Sequence, residues 1–164
     1  MTEENSPVQM KDKMTIILFS GELDKAIAAF TLATTAAASN MEVSIFFTFW
    51  GLNTLKKTTF VPAKPQMIMQ KMLNFMNRGL PLSRLNMFGL GPWMMKKLMK
   101  KTKMASLEDL MKLAKQLNVK YIACTTSCSV MGLSKESLIS DVNEFAGAST
   151  YLAEAKDAKV NLFI

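Results

Sequence analysis

The sequence predicts an α/β fold, a mostly parallel sheet of about five strands covered by helices. Three observations carry this. Apolar, β-branched runs alternate with segments whose apolar residues recur at helical spacing. The first strand, helix and strand fit within about 35 residues, the length of a βαβ unit. The strand-like runs give way to small or polar turn residues. At 164 residues, 49% of them apolar and 20% charged, the chain is long enough for one domain with a real core.

The elements follow in order. Residues 1–13 are polar, lack the apolar core of a signal peptide and read as a flexible tail; residues 14–164 form the domain. Met14 to Phe19 is the first strand. Glu22 to Asn40 is a helix with Leu23, Ile27, Phe30, Ala33 or Thr34, and Ala37 on one face, and its alanines permit close packing on a sheet. Glu42 to Thr48 is the second strand. Residues 53–104 form an insertion. In it, 53–65 is broken by Pro62 and Pro65, 66–77 has a helical period, and 79–92 is a Gly/Pro-punctuated loop. Pro92 starts a short amphipathic helix, with Met94, Met95, Leu98 and Met99 on one face and Lys96, Lys97, Lys100 and Lys101 on the other. Ser106 and Asp109 form a capping-box-like pair ahead of Leu107, Leu110, Met111, Ala114 and Leu117. Asn118 ends that helix, and Val119 to Ala123 is the next strand. Leu138 to Asp141 is a short apolar-to-acidic segment, Ala148 to Ala158 the last helix and Val160 to Ile164 the last strand.

Composition removes several chemistries. The chain has no histidine, so serine-type triads, Cys–His pairs and histidine metal sites are excluded. Its two cysteines cannot complete a tetrahedral zinc site within one subunit, and no metal or cofactor is expected. No apolar run is long enough to span a bilayer. Without an export signal, free thiols in a reducing cytoplasm are expected. The net charge of +7 is unevenly placed. Between Glu42 and Glu108 there are eleven basic residues, nine methionines and no acid.

Both cysteines fall in Tyr121-Ile122-Ala123-Cys124-Thr125-Thr126-Ser127-Cys128-Ser129-Val130-Met131-Gly132. The apolar run ends at Cys124, and ligands of open parallel sheets gather beyond strand carboxyl ends. A helix starting there would lower the thiol pKa through its free N–H groups. Thr125, Thr126 and Ser127 are candidates to stabilise a thiolate or persulfide anion. Cys128, four residues on, would share a helical face with Cys124 and serve as an accessory thiol. A purely structural explanation competes, because cysteine is among the most buried residue types and CxxxC is a weak motif.

The run Ala123 to Leu133 resembles the cysteine motif of the DsrE/DsrF-like proteins, in a methionine-rich subgroup sometimes labelled a peroxiredoxin family. The stretches Glu136 to Ile139, Ala146 to Leu152 and Val160 to Ile164 are similar to it as well. So are Ile16 to Ala29, Phe46 to Gly51, and the basic insertion around Leu82 to Pro92 and Met94 to Lys96. The resemblance runs from Met14 to Ile164. It implies a flavodoxin-like three-layer fold, assembly into trimers or hexamers, and a sulfur relay in which Cys124 carries sulfane sulfur as a persulfide. The peroxiredoxin label finds no support in the residues: a peroxidatic cysteine keeps a nearby arginine, and here Arg78 and Arg84 are remote in sequence.

The expectation is therefore a cytoplasmic sulfur-carrier or sulfurtransferase-like protein. Cys124 would be the sulfur acceptor, and donor and acceptor proteins its partners. Two alternatives stand beside it: a non-catalytic oligomeric or membrane-docking module with structural cysteines, and a Cys124/Cys128 thiol redox protein. Trp93, Lys96, Lys97, Lys100 and Lys101 are candidates to dock an acidic partner or an anionic membrane. The competing explanation is a solvated lysine face over methionines packed in the core. Nucleic acid is disfavoured, since no aromatic interleaving accompanies the charge.

Overall fold

The computed structural model describes residues 11–57, 68–70, 72, 79–84 and 90–164. Strands β1 (Lys13–Leu18), β2 (Glu42–Phe47), β3 (Lys120–Cys124), β4 (Glu144–Ala146) and β5 (Val160–Phe163) form one sheet in the order β4-β3-β2-β1-β5. Every pairing is parallel. The described helices are α1 (Leu23–Ala38), α2 (Leu90–Lys101), α3 (Leu107–Gln116), α4 (Thr125–Met131) and α5 (Ala148–Lys156). From β1 to β4 each strand steps the same way across the sheet, and β5 returns to the far edge beside β1. Right-handed crossovers then put α1 and α3 together on one face and α5 on the other; α1 packs on α3, and α5 touches β1 and β4. The expected parallel three-layer α/β architecture is present. Within it, the strand order differs from the 2-1-3-4-5 of flavodoxin.

The strands alternate between two cores. Tyr121 and Ala123 of β3 enter the larger one with Ile16, Leu18, Phe30, Ile45 and Phe47, beneath α1 and α3. Tyr121 meets Phe30 edge-on at 5.7 Å and Phe47 at 5.5 Å. Phe30 is wholly buried, so truncating it to alanine is expected to cost about 3–5 kcal/mol. Ile122 and Cys124 point the opposite way, into a smaller cluster with Phe46, Ala146 and Tyr151 of α5.

Local chemistry explains the boundaries. The Ser106 hydroxyl accepts from the Asp109 amide at 3.2 Å, and the Asp109 carboxylate accepts from the Ser106 amide at 3.2 Å. Asn40 and Asn118 follow α1 and α3 with φ of 65° and 58°, the left-handed conformation that asparagine tolerates. A Cβ on Gly51 would lie 1.9 Å from the Leu18 carbonyl oxygen, so only glycine lets the turn after β2 cross the end of β1.

Some elements differ from expectation. The β4 strand has only three residues, Glu-Phe-Ala, too few for an alternating pattern to register. Leu138, in the segment read only as apolar-to-acidic, is buried and makes an isolated antiparallel bridge to Lys56. Residues 53–55 finish a 3-10 turn, Phe49–Leu55, rather than opening an irregular stretch. The amphipathic helix starts at Leu90, which puts Pro92 in its first turn, where a missing N–H costs nothing. Its methionines are divided: Met99 is buried, while Met94 and Met95 are exposed. Most of the helix expected over 66–77 lies outside the described residues, as do residues 1–10; 68–70 and 72 are helical.

Candidate functional site

Strand β3 passes directly into α4, and Cys124 is both the last residue of the strand and the N-cap of the helix. Its φ of −68° and ψ of 115° are extended, so the chain turns only after the thiol has been aimed at the α5 side of the sheet. The helix then carries Cys128 and Met131 into the larger core on the other side. Gly132, with φ 64°, ends the helix in the left-handed conformation.

The hydroxyls of Ser127 and Thr48 and the amides of Ser127 and Thr126 surround the Cys124 side chain, which makes no capping hydrogen bond to its helix. Burial pushes the thiol pKa up, and the O–H and N–H groups around it more than reverse this, leaving it below its ordinary value. Thr48 follows β2, which lies beside β3, and its hydroxyl is 2.8 Å from that of Ser127. The two hydroxyls form a small polar bracket over the sulfur, with Ser127 itself buried. Phe46, Ile122, Ala146 and Tyr151 supply the apolar wall, and Cys124 is 6% exposed.

Cys128 is in a different state. Burial in the main core and the negative charge of Cys124 push its pKa up to about 11. Both cysteines are free. They sit in separate apolar clusters on opposite sides of the sheet. Only the first has surroundings that favour its thiolate.

The three hydroxyl residues singled out from sequence divide. Ser127, through its hydroxyl and amide, and Thr126, through its amide, favour the Cys124 anion. The Thr125 hydroxyl instead donates to the Ala146 carbonyl at 3.4 Å. Sequence reasoning missed Thr48 altogether. It is 76 positions before Cys124, and only knowledge that β2 and β3 are neighbours could have found it. Trp93, Lys96, Lys97, Lys100 and Lys101 all lie exposed on α2, and no hydrogen bond joins them to the Cys124 bracket among the described residues. The insertion does reach α4 elsewhere: Gln70 donates to the carbonyls of Ser129 and Val130 at 3.3 Å each.

Two cavities lie away from the thiol. One of about 260 Å³ is bounded by Phe19, Ser20, Lys25, Trp50, Asn53 and Pro81 at the carboxyl end of β1. A second of about 60 Å³ lies near the amino ends of the central strands, beside Lys120 and Glu154. No cluster of metal-ligating side chains occurs among the described residues.

Residues 10–163 match the model of the DsrE/DsrF/DrsH-like family. Over 155 residues the chain is 42% identical to the uncharacterized protein YrkE of Bacillus subtilis (strain 168), covering 93% of this chain and 96% of that one. It is 36% identical over 160 residues to the sulfur carrier protein DsrE2 of Allochromatium vinosum, covering 93% and 98% of the two chains. The crystal structure of the ychN protein from E. coli superposes with a TM-score of 0.52 at 13% identity, over 94% of this chain and 100% of that one. At that identity the likeness bears on the fold alone.

Proposed function

The chain belongs to the DsrE/DsrF/DrsH-like family, and on that premise we propose that it is a sulfur-carrier protein in which Cys124 holds sulfane sulfur as a persulfide. The observation that carries this reading is the bracket of donors that favours the Cys124 thiolate in a chain without histidine. The thiolate attacks the outer sulfur of a donor persulfide. The donor S–S bond breaks, the donor leaves as its thiolate, and a new bond joins Cys124 Sγ to the transferred sulfur. An acceptor thiolate repeats the exchange on that sulfur and regenerates the Cys124 thiolate. No net oxidation occurs and no base is consumed. The Ser127 and Thr48 hydroxyls and the Thr126 amide hold the anion that arrives and departs.

The relative named as a sulfur carrier supports a place in a sulfur relay. The reading adds donor and acceptor proteins as partners and a cytoplasmic homo-oligomer as the working form. The test is intact-mass measurement after incubation with thiosulfate, tetrathionate or polysulfide. A sulfur adduct is expected on the native protein and on Cys128→Ser, removed by dithiothreitol and absent from Cys124→Ser. An adduct that survives in Cys124→Ser, or none in the native protein, overturns the proposal. The burial of both cysteines favours one other reading, a binding or assembly module with structural thiols. A Cys124 inert to a small alkylating reagent in the folded protein would select it.

A further inference from the structure

The α2 helix buries only one margin of its apolar surface. Gly91 and Met99 are buried, whereas Leu90, Trp93, Met94 and Leu98 stand 62, 61, 52 and 51% exposed. At helical spacing Leu90, Met94 and Leu98 are i, i+4 and i+8, a continuous stripe along the outer side. Lys97 and Lys101 border that stripe, and Lys96 and Lys100 follow on the next arc with Trp93 between them. Lys97 Nζ lies 5.1 Å from the Trp93 ring. Among the described residues none of these lysines has an acidic partner. The sequence offers none nearby, since no Asp or Glu occurs between Glu42 and Glu108.

We propose that α2 docks the protein on an anionic lipid surface. The helix lies in the plane of the interface, with Leu90, Met94 and Leu98 among the acyl chains and the lysines at the headgroup phosphates. Charge complementarity selects this occupant over a second copy, which would set one lysine face against another. Patterning favours it over a protein partner: a 12-residue helix, about 18 Å long, that sets an apolar stripe beside lysines and a tryptophan has the pattern of an interfacial helix. The contact is peripheral, because no helix among the described residues is long and apolar enough to cross a membrane. This docking goes beyond the sulfur-carrier reading and does not depend on it.

The experiment uses the full chain and two vesicle preparations, phosphatidylcholine alone and an equal mixture of phosphatidylcholine with phosphatidylglycerol. The expected result is co-sedimentation with the mixed vesicles only, weakened by salt. The chain has two tryptophans, so in a Trp50→Phe background the emission of Trp93 should shift to the blue on binding. If that background fails to fold, co-sedimentation of the native sequence still carries the test. Leu98→Glu should lower partitioning by roughly tenfold. Replacing Lys96, Lys97, Lys100 and Lys101 together by glutamine should lower it by roughly a thousandfold. Both changes are on the surface, and circular dichroism with the rate of Cys124 alkylation confirms that the fold is kept. Failure to bind anionic vesicles overturns the proposal. So does equal binding to neutral ones, or binding that neither variant weakens. Retention on an immobilised acidic polypeptide without vesicle binding would replace the membrane by an acidic protein partner.

Discussion

Removing the Ser127 hydroxyl should slow the chemistry of Cys124 without touching the sulfur itself. Ser127→Ala deletes the largest of the hydrogen-bond contributions that hold the thiol below its ordinary pKa, and leaves burial, which pushes it up. The folded-state pKa must therefore rise. A hydrogen bond to a charged group contributes about 1.5–3 kcal/mol, and the lower end applies because the Thr48 hydroxyl and two amides remain. That corresponds to roughly a tenfold smaller thiolate population at pH values below the native midpoint. The assay is the rate of iodoacetamide alkylation against pH, in a Cys128→Ser background so that one thiol is read. The variant profile should be displaced to higher pH and roughly tenfold slower at neutral pH, with a similar alkaline plateau. Thr48→Val should displace the profile in the same direction, since it removes a donor to sulfur and the partner of Ser127. Coincident profiles for the native protein and both variants would refute the bracket as the source of reactivity.

Other outcomes follow from the same geometry. Native-state alkylation at mildly alkaline pH should label Cys124 and spare Cys128, whose burial raises its pKa to about 11; comparable labelling, read by peptide mass mapping, would contradict that assignment. Gly51→Ala should destabilise the fold by roughly 3 kcal/mol or more, since the new methyl would meet the Leu18 carbonyl oxygen at 1.9 Å, and a urea midpoint close to native would refute it. The pKa of Glu154 is raised by burial but lowered more by its hydrogen bonds to Lys120 and Ser44, so its net is below the ordinary value. Its contribution is present above the unfolded carboxylate pKa and lost as pH falls through the folded one. Glu154→Gln should therefore cost about 1 kcal/mol or less at neutral pH. That difference from native should vanish in acid, and a difference that persisted would show that packing, not charge, is responsible.

Local patterns were legible from the residues, and relations between distant segments were not. Leu23, Ile27, Phe30 and Ala33 recur at helical spacing and all are buried in α1. The Ser106–Asp109 pair announces α3, and its capping box forms. Cys124 could be placed at a strand end because the run Val119 to Ala123, apolar except for Lys120, gives way to small polar residues. Nothing comparable marks β4, a three-residue strand whose identity depends on lying beside β3. The role of Thr48 is hidden for the same reason, since a threonine after a strand acquires meaning only when the adjacent strand is known. The division of the two thiols between opposite layers also needed the alternation of β3 and the direction of α4 together. Helical spacing alone would have set them on one face.

That division has a stoichiometric consequence. If the chain carries sulfur as proposed, one activated sulfur and one protonated, core-packed sulfur would give it a single loading position, and capacity would scale with the number of chains and not with the number of cysteines. The occupied and empty forms then differ by one atom at one address. A titration of cargo against protein should end at one equivalent, with Cys128 unchanged as an internal reference in the same molecule.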